Sequence, residues 1–556
     1  MPTDFTGIRV DFDVHVPMRD GVTLSADVYR PAAEGHYPVV LYRTPYNERV
    51  QSYATERGVY YARNHFVLIW MDVRGRGDSD GVFVPYRNDG VDGYDAIEWC
   101  AAQSWSNGNV GTSGGSYLGR IQWLSALLRP PHLKAMSVAV TPSDPFVEWP
   151  TGTPNPMQLC WFHLVSGRLS QNMQAVDWLS VYEHLPLLTM DERAGRINPH
   201  WREAYAHAQF DEHWDAISYQ QKFERVEVPV LHITGWYDDE QIGTPLNYMG
   251  MTQHGANDHA RQHQKLLIGP WGHQINSTRK LGEIDFGPEA LIDLQGYQLR
   301  WFKRWLTDDE NAIDTEPPVR IFVMGSNVWR DELEWPLART AFTPFYLHSG
   351  GSANSRFGDG RLAVELPVDE LPDHYTYDPA RPVPFITEPV SSQIGGPDDY
   401  SAVEQRADVL VYSTTPLTEP MEVTGSIRVT LYAASSAPDT DFTAKLLDVW
   451  PNGFAQRLTD GIVRARFREG MSAPSLIEPG VIYAYTLDLW NTAHVFGTGH
   501  AIRLEISSSA FPKYDRNQNT GAPLGLTADF ATAQQTIYHD ADHPSCVMLP
   551  WIQSTP

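Results

Sequence analysis

The sequence predicts an α/β protein: a mostly parallel sheet covered by helices, a helical insertion over one sheet edge, and a separate all-β domain at the end. Three observations carry this. Short apolar runs bounded by Gly or Pro alternate with helical stretches through the first part of the chain. One junction, residues 105–119, is a glycine-lined turn that hands a strand over to a helix. From about residue 345 the helical spacing stops, and strand-like runs follow one another directly.

In chain order, the strand candidates are Tyr37–Tyr42, Phe66–Val73, Leu133–Val140, Val228–Ile233 and Leu266–Ile268. The helical candidates are Val91–Ala102, Leu118–Leu128 and Ala290–Leu306. Within the second of these, Ile121, Trp123, Leu124, Leu127 and Leu128 form a buried pattern that Pro130 ends. Such alternation suits parallel strands, which need a crossover to return the chain to the same sheet edge. Residues 1–144 and 226–344 are read as the two halves of this core. Residues 145–225 break the alternation. They open with Pro145 and a Pro-, Thr- and Gly-rich stretch, then set Trp161, Phe162, Trp178 and Trp201 among helix formers. This is read as a cap whose aromatic residues either pack or meet a substrate. Residues 345–556 carry the alternating runs Ser426–Ala433, Phe442–Val449, Gly461–Phe467, Val481–Leu487 and Ala501–Ser507, which imply an antiparallel sandwich.

Composition narrows the function class. A hydrophobic fraction of 42% with 18 Trp and 26 Tyr describes a folded chain. A net charge of −26 offers no basic stripe to release counterions, which argues against nucleic-acid or anionic-membrane partners. Trp-rich surface would serve a homo-oligomer. Cys100, Cys160 and Cys546 lack metal-ligand spacing and read as free buried thiols. The Asp72–Gly81 loop is rich in glycine but lacks the lysine of a P-loop and the spacing of a dinucleotide fingerprint. It reads as a turn held by arginine salt bridges. Asp439–Asp441 lacks the spaced acids of a calcium loop and reads as a structural turn. No cofactor or metal is implied. The first residues lack a signal-peptide pattern and no apolar run of about 18 residues occurs, so a cytoplasmic location is the expectation.

The chemistry starts at the glycine-lined turn. Gly111-Thr112-Ser113-Gly114-Gly115 satisfies G-x-S-x-G, whereas Ser116 lies in Gly114-Gly115-Ser116-Tyr117-Leu118-Gly119, one residue longer. A nucleophile elbow ends a strand and starts a helix, and the helical pattern begins directly after Ser116. That favours Ser116 and makes Ser113 the alternative. In such an enzyme the acid and then the base follow along the chain. Asp238 and Asp239 come just after one strand candidate; His273 follows another through a Gly-Pro turn. With 20 histidines in the chain, His232, His254, His259 and His263 are alternatives.

The turn resembles that of the cocaine esterase-like, or X-Pro dipeptidyl-peptidase-like, hydrolases, whose pattern is W-x-x-G-x-V-G-x-x-G-x-S-Y-x-G. Trp105, Gly108, Val110, Gly111, Gly114, Ser116, Tyr117 and Gly119 match it. Further landmarks occur in order: 18–24, 27–31, Arg43-Thr44-Pro45-Tyr46, 72–81, Gly235-Trp236-Tyr237-Asp238, Gly269-Pro270-Trp271-Gly272-His273, 439–442 and Phe511-Pro512. The resemblance implies an α/β-hydrolase core and a jelly-roll-like C-terminal domain. It also implies hydrolysis of carboxylic esters, or of amides, through an acyl-enzyme. Ser116 would be the nucleophile, His273 the base and Asp238, ahead of Asp239 and Glu240, the acid. The oxyanion donors would be the phenol of Tyr46 and the backbone N–H of Tyr117. Trp149, Trp161 and Phe162 of the cap are read as shaping the substrate pocket. Amino-acid ester hydrolases of the same superfamily carry Glu and Asp two and three residues after the catalytic Asp. Glu240 matches the first, but Gln241 stands in the second place. That keeps an amino-acid ester substrate as an alternative, and a dipeptidyl-peptidase role as another. The competing reading from a different class is a non-catalytic binding or assembly protein.

Overall fold

The computed structural model describes residues 3–47, 49, 51–141, 152–307, 309–389 and 395–553. Twelve strands precede the C-terminal domain: β1 Ile8–Pro17, β2 Thr23–Pro31, β3 Tyr37–Thr44, β4 Val67–Asp72, β5 Ser106–Gly115, β6 Leu133–Ala139, β7 Val230–Gly235, β8 Gln264–Gly269, the two-residue ribbon strands β9 Lys280–Leu281 and β10 Ile284–Asp285, β11 Val319–Val323 and β12 Val328–Glu332. Ten of them form one sheet in the order β1-β2-β4-β3-β5-β6-β7-β8-β11-β12. Its centre, β4 to β11, is parallel, while β1, β2 and β12 join antiparallel at the edges. The sequence reading found β3 to β8 but passed over β1, β2, β11 and β12. β1 is a half-exposed edge strand, where burial does not demand a continuous apolar run, and β2, although buried beside it, mixes Asp27 and Arg30 among its apolar residues.

The helices between the central strands are α1 Ser52–Arg63, α2 Asp89–Ala101 and α3 Tyr117–Ala126. Further along come α4 Gln158–Leu164, α5 Trp178–Tyr182, α6 Met190–Arg193, α7 Pro199–Ala206 and α8 Glu212–Asp215, then α9 Gly243–His254, α10 Asp258–Gln262 and α11 Leu294–Leu306. Alternate residues of β3 and β4 enter two different cores, as period 2 requires. Val39, Leu41, Val67, Ile69 and Met71 pack with α2 and α3, and Val40, Tyr42, Leu68 and Trp70 with α1 and α11. The sheet is therefore sandwiched between helices. Gly111 shows how closely: a β-carbon there would lie 2.6 Å from the Phe302 ring of α11.

Helices α4 to α8 form the cap between β6 and β7, as read from the sequence. Trp178 and Trp201 are packing residues, with indole N–H groups donating to the carbonyls of Met173 (2.8 Å) and Leu187 (3.0 Å). The cap core is shared with Phe385, Ile462, Ala510 and Tyr514 of the C-terminal domain.

The C-terminal domain is an eleven-stranded, almost wholly antiparallel network with one large apolar core. Its first strand is Thr340–His348, which pairs from Thr340 with Ile552. The expected boundary at 344/345 thus cuts a strand and moves to about 340. Pro344 inside the strand hid it, because a proline cannot donate to a ladder and reads as a break. Asp439 and Asp441 each accept a guanidinium, from Arg466 and Arg464 at 2.8 Å, so this is the structural turn expected. In the glycine-rich loop, Arg49 reaches Asp27 (3.1 Å) and Asp72 (2.9 Å) and also Asp78, and Arg74 reaches Asp92 (2.6 Å). The three cysteines are free and buried. No helix among the described residues is long and apolar enough to cross a membrane.

Candidate active site

In an open parallel sheet, ligands meet the loops that leave the C-terminal ends of the strands. Tyr46 lies two residues past β3, Ser116 directly after β5, Asp238 three past β7 and His273 four past β8. All four candidates therefore lie along one sheet edge.

Ser116 has φ 56° and ψ −125°, a left-handed conformation that costs a residue with a β-carbon about 1–3 kcal/mol. What holds it is on either side. Its N–H donates to the carbonyls of Ala139 and Val140, both at 3.0 Å, at the end of β6. Glycines remove the side chains that would block the turn. A β-carbon would lie 2.4 Å from Leu118 Cβ at Gly114, and 1.9 Å from Thr141 Oγ1 at Gly119. Ser113, in contrast, lies within β5, in register with Ser137 of β6, and is buried.

Asp238 and His273, the candidate acid and base, meet because β7 and β8 run in register to Gly235 and Gly269 and their loops then stay together. Trp236 N–H donates to Gly269 O and Tyr237 N–H to Trp271 O, both at 2.9 Å. Only glycine permits this approach: a β-carbon at 235 would lie 2.1 Å from Trp271 O. Asp238 is enclosed, and its Oδ1 accepts from His273 Nδ1 at 2.8 Å and from Glu240 N–H at 3.1 Å. Its Oδ2 accepts from Thr234 Oγ1 at 2.7 Å. Asp239 Oδ1 is 3.3 Å from the same imidazole nitrogen, with a more exposed carboxylate. A proton held on Nδ1 by Asp238 leaves the Nε2 lone pair as the basic one. Of the alternative histidines, His232 is buried within β7 and bonded to Gln264 (2.8 Å), His254 is exposed, and His259 and His263 flank Trp305.

Ser116, His273, Tyr46, Trp161, Asp239 and Glu240 all line one cavity of about 590 Å³ between the sheet edge and the cap. Trp161 Nε1 donates to the Tyr46 hydroxyl oxygen at 2.8 Å, and its ring stacks on that of Tyr117 at 6.0 Å. The bond accepted at the oxygen fixes the phenol's rotation and sets its O–H to donate in another direction. Tyr117 is the first residue of α3, so its N–H has no carbonyl of that helix to bond. Its phenol donates instead to buried Asp89 at 2.6 Å. Phe162 does not line this cavity: it is packed in the cap core and borders a smaller one behind Trp161. Residue i+1 of a helix points away from its predecessor, which sequence proximity had concealed. Trp149 lies outside the described residues. Gln241 is turned out of the site, with its side chain bonded to the Asn491 carbonyl (2.5 Å) and accepting from its N–H (3.2 Å). Sequence reasoning missed Thr234 and Gln158. Thr234 is legible only once its strand end is known to face the acid.

The chain matches two family models. Residues 20–275 match X-Pro dipeptidyl-peptidase (S15 family), and residues 311–548 match the X-Pro dipeptidyl-peptidase C-terminal non-catalytic domain. It is 38% identical to cocaine esterase of Rhodococcus sp. (strain MB1 Bresler), over 97% of this chain and 98% of that protein. It is 25% identical to a putative serine esterase of Mycobacterium tuberculosis (strain CDC 1551 / Oshkosh), over 91% of each. Among solved structures, an α-amino acid ester hydrolase superposes with a TM-score of 0.85 at 26% identity, over 99% of this chain and 98% of that one. An aminopeptidase from a marine sediment Thaumarchaeota archaeon does so with a TM-score of 0.86 at 25% identity, over 100% and 98%.

Proposed function

The chain belongs to the cocaine esterase-like, S15 family of serine hydrolases, and we propose that it cleaves carboxylic esters through an acyl-enzyme formed on Ser116. The observation that carries the assignment is the His273–Asp238 bond at the sheet edge where Ser116 stands immediately before α3. His273 takes the proton of Ser116 as its oxygen attacks the ester carbonyl, and gives it to the leaving alcohol. Asp238 holds the imidazole and stabilises the imidazolium. The Tyr46 phenol and the Tyr117 N–H receive the oxyanion. Water then repeats the sequence on the acyl-enzyme and releases the acid.

A fluorophosphonate probe tests the nucleophile. Labelling is expected to vanish in Ser116→Ala and to persist in Ser113→Ala; the reverse pattern moves the nucleophile. A panel of p-nitrophenyl esters, anilides and amino-acid esters ranks the substrates.

A second reading is supported by Glu240, which is buried, lines the cavity and is suited to hold a substrate ammonium. On that reading an α-amino acid ester is preferred to its N-acetylated form, and Glu240→Gln removes the preference. Gln241 weighs against it, because the side chain in the position of the second acid is committed to Asn491. A dipeptidyl-peptidase role calls for the same ammonium recognition and is read out by X-Pro anilides in the panel.

A further inference from the structure

We propose that the small cavity behind Trp161 is a subsite for a carboxylate, and that Arg120 is the residue that recognises it. The proposal rests on ester hydrolysis at Ser116 and names a substrate class for it.

The cavity measures about 60 Å³ and shares Gln158 and Trp161 with the active-site cavity, so these two side chains form the partition. Arg120 lines it from α3, four residues after Ser116, whose carbonyl accepts the Arg120 N–H at 2.9 Å. At 1.5 Å rise per residue the two α-carbons are about 6 Å apart along the helix. The Arg120 side chain is 1% exposed. Its Nη2 donates to Ile217 O at 3.1 Å and its guanidinium lies over the Tyr86 ring at 4.2 Å. Among the described residues, its Nε has no hydrogen-bond partner and no carboxylate lies within ion-pair distance.

Most other buried arginines here have a counter-charge. Arg43, Arg49, Arg457 and Arg464 each pair with an aspartate, whereas Arg76, which has no ion pair among the described residues either, donates to two carbonyls instead of one. A buried guanidinium with one carbonyl and one aromatic face lacks the counter-charge that such burial usually demands.

The surroundings add positive charge. Arg87 lines the same cavity and places Nη2 at 2.5 Å from His213 Nδ1. A guanidinium at that nitrogen requires it to be an acceptor, so His213 is neutral; burial and Arg87 hold its pKa below the usual imidazole value. Burial does the same for His200. The acid on the lining, Glu203, is about half exposed and stands 3.6 Å from His213 Nδ1. The guanidinium beside His213 also disfavours a cation at the Glu203, His207 and His213 cluster by like-charge repulsion. Phe162, Trp214 and Ile217 supply apolar walls. Positive charge in a small, low-dielectric pocket fits a carboxylate on a short chain.

That carboxylate has two sources: the far end of a dicarboxylic half-ester, or a free carboxylate. Kinetics test the first, as the ratio of kcat/KM for mono-p-nitrophenyl adipate to that for neutral p-nitrophenyl heptanoate. The ratio is expected to fall at least tenfold in Arg120→Met and to be partly restored in Arg120→Lys. Calorimetry with adipate tests the second, with an expected tenfold or greater weakening in Arg120→Met. Arg87→Gln serves as the second variant if circular dichroism shows Arg120→Met to be unfolded, with a threefold or greater fall expected in either readout. If neither readout moves in a folded variant, the proposal is overturned. Failure of wild type to turn over either ester while adipate binding depends on Arg120 would instead overturn the ester reading.

Discussion

At the scale of single residues, the site depends on side chains whose freedom has been removed by their partners. Tyr46→Phe deletes the proposed phenolic oxyanion donor and is expected to lower kcat by about 10²–10³, with KM changed much less. Trp161→Phe keeps the ring but removes the N–H that fixes the phenol. It is expected to lower kcat by about tenfold in an otherwise wild-type protein, and to have almost no further effect on top of Tyr46→Phe. An equal loss in both backgrounds would refute the orienting role. Asp238→Asn is expected to cost up to about 10⁴ in kcat by reversing the imidazole tautomer. Asp239→Asn should cost far less, since Asp239 is the more distant and more exposed of the two carboxylates beside His273.

At the scale of elements, the decisive contacts are backbone ones. The β7 and β8 loops close on each other through Gly235, where a β-carbon would meet the Trp271 carbonyl at 2.1 Å. Neither partner is a flexible side-chain end, so Gly235→Ala must part the loops. It is expected to destabilise the protein by about 2–4 kcal/mol in urea titrations and to abolish esterase activity, because His273 and Asp238 separate. The strands and helices that flank the site were legible from the sequence for the same reason that they work. Residues of β3 and β4 are buried on both faces, so they read as short unbroken apolar runs. The edge strand β1 and the helix α1 were not legible, since half-exposed elements mix polar and apolar residues without a clean period, and the buried β2 carries Asp27 and Arg30 among its apolar residues. The strand Thr340–His348 was disguised by its own Pro344.

At the scale of the whole molecule, three units share the site. The C-terminal domain holds the loop after Asp238 through Gln241 and Asn491, and Tyr237 accepts from Gln456 at 3.2 Å. Gln241→Leu strands buried polar groups of Asn491 and is expected to cost about 1–3 kcal/mol of stability. Acid stability has a global contributor in His232. Burial depresses its pKa from 6.5 to about 4, with Gln264 partly opposing. Between those values the unfolded chain binds the proton and the folded one does not. The stabilisation is therefore complete above pH 6.5 and is lost as pH falls towards 4, amounting to as much as about 3 kcal/mol. Glu505 and Asp515, raised to about 7 by burial, push the opposite way, so the test is a difference. His232→Gln is expected to flatten the fall in unfolding free energy between pH 6.5 and 5 relative to wild type. Parallel curves would contradict the assignment.

The amino-acid order by itself determined the α/β core, the cap, the all-β domain and the family, because these follow from periodicity and from glycines required at fixed spacings. It also marked Ser116, Asp238 and His273, whose loops carry those glycines. Only the tertiary structure decided which tryptophans pack and which face the cavity, that Phe162 turns away and that Gln241 is a tether. It alone brought Arg120 to a cavity wall with no carboxylate within ion-pair distance of it among the described residues. These outcomes depend on contacts between residues far apart in the chain, and no local pattern encodes the direction in which a side chain points once two such surfaces have closed.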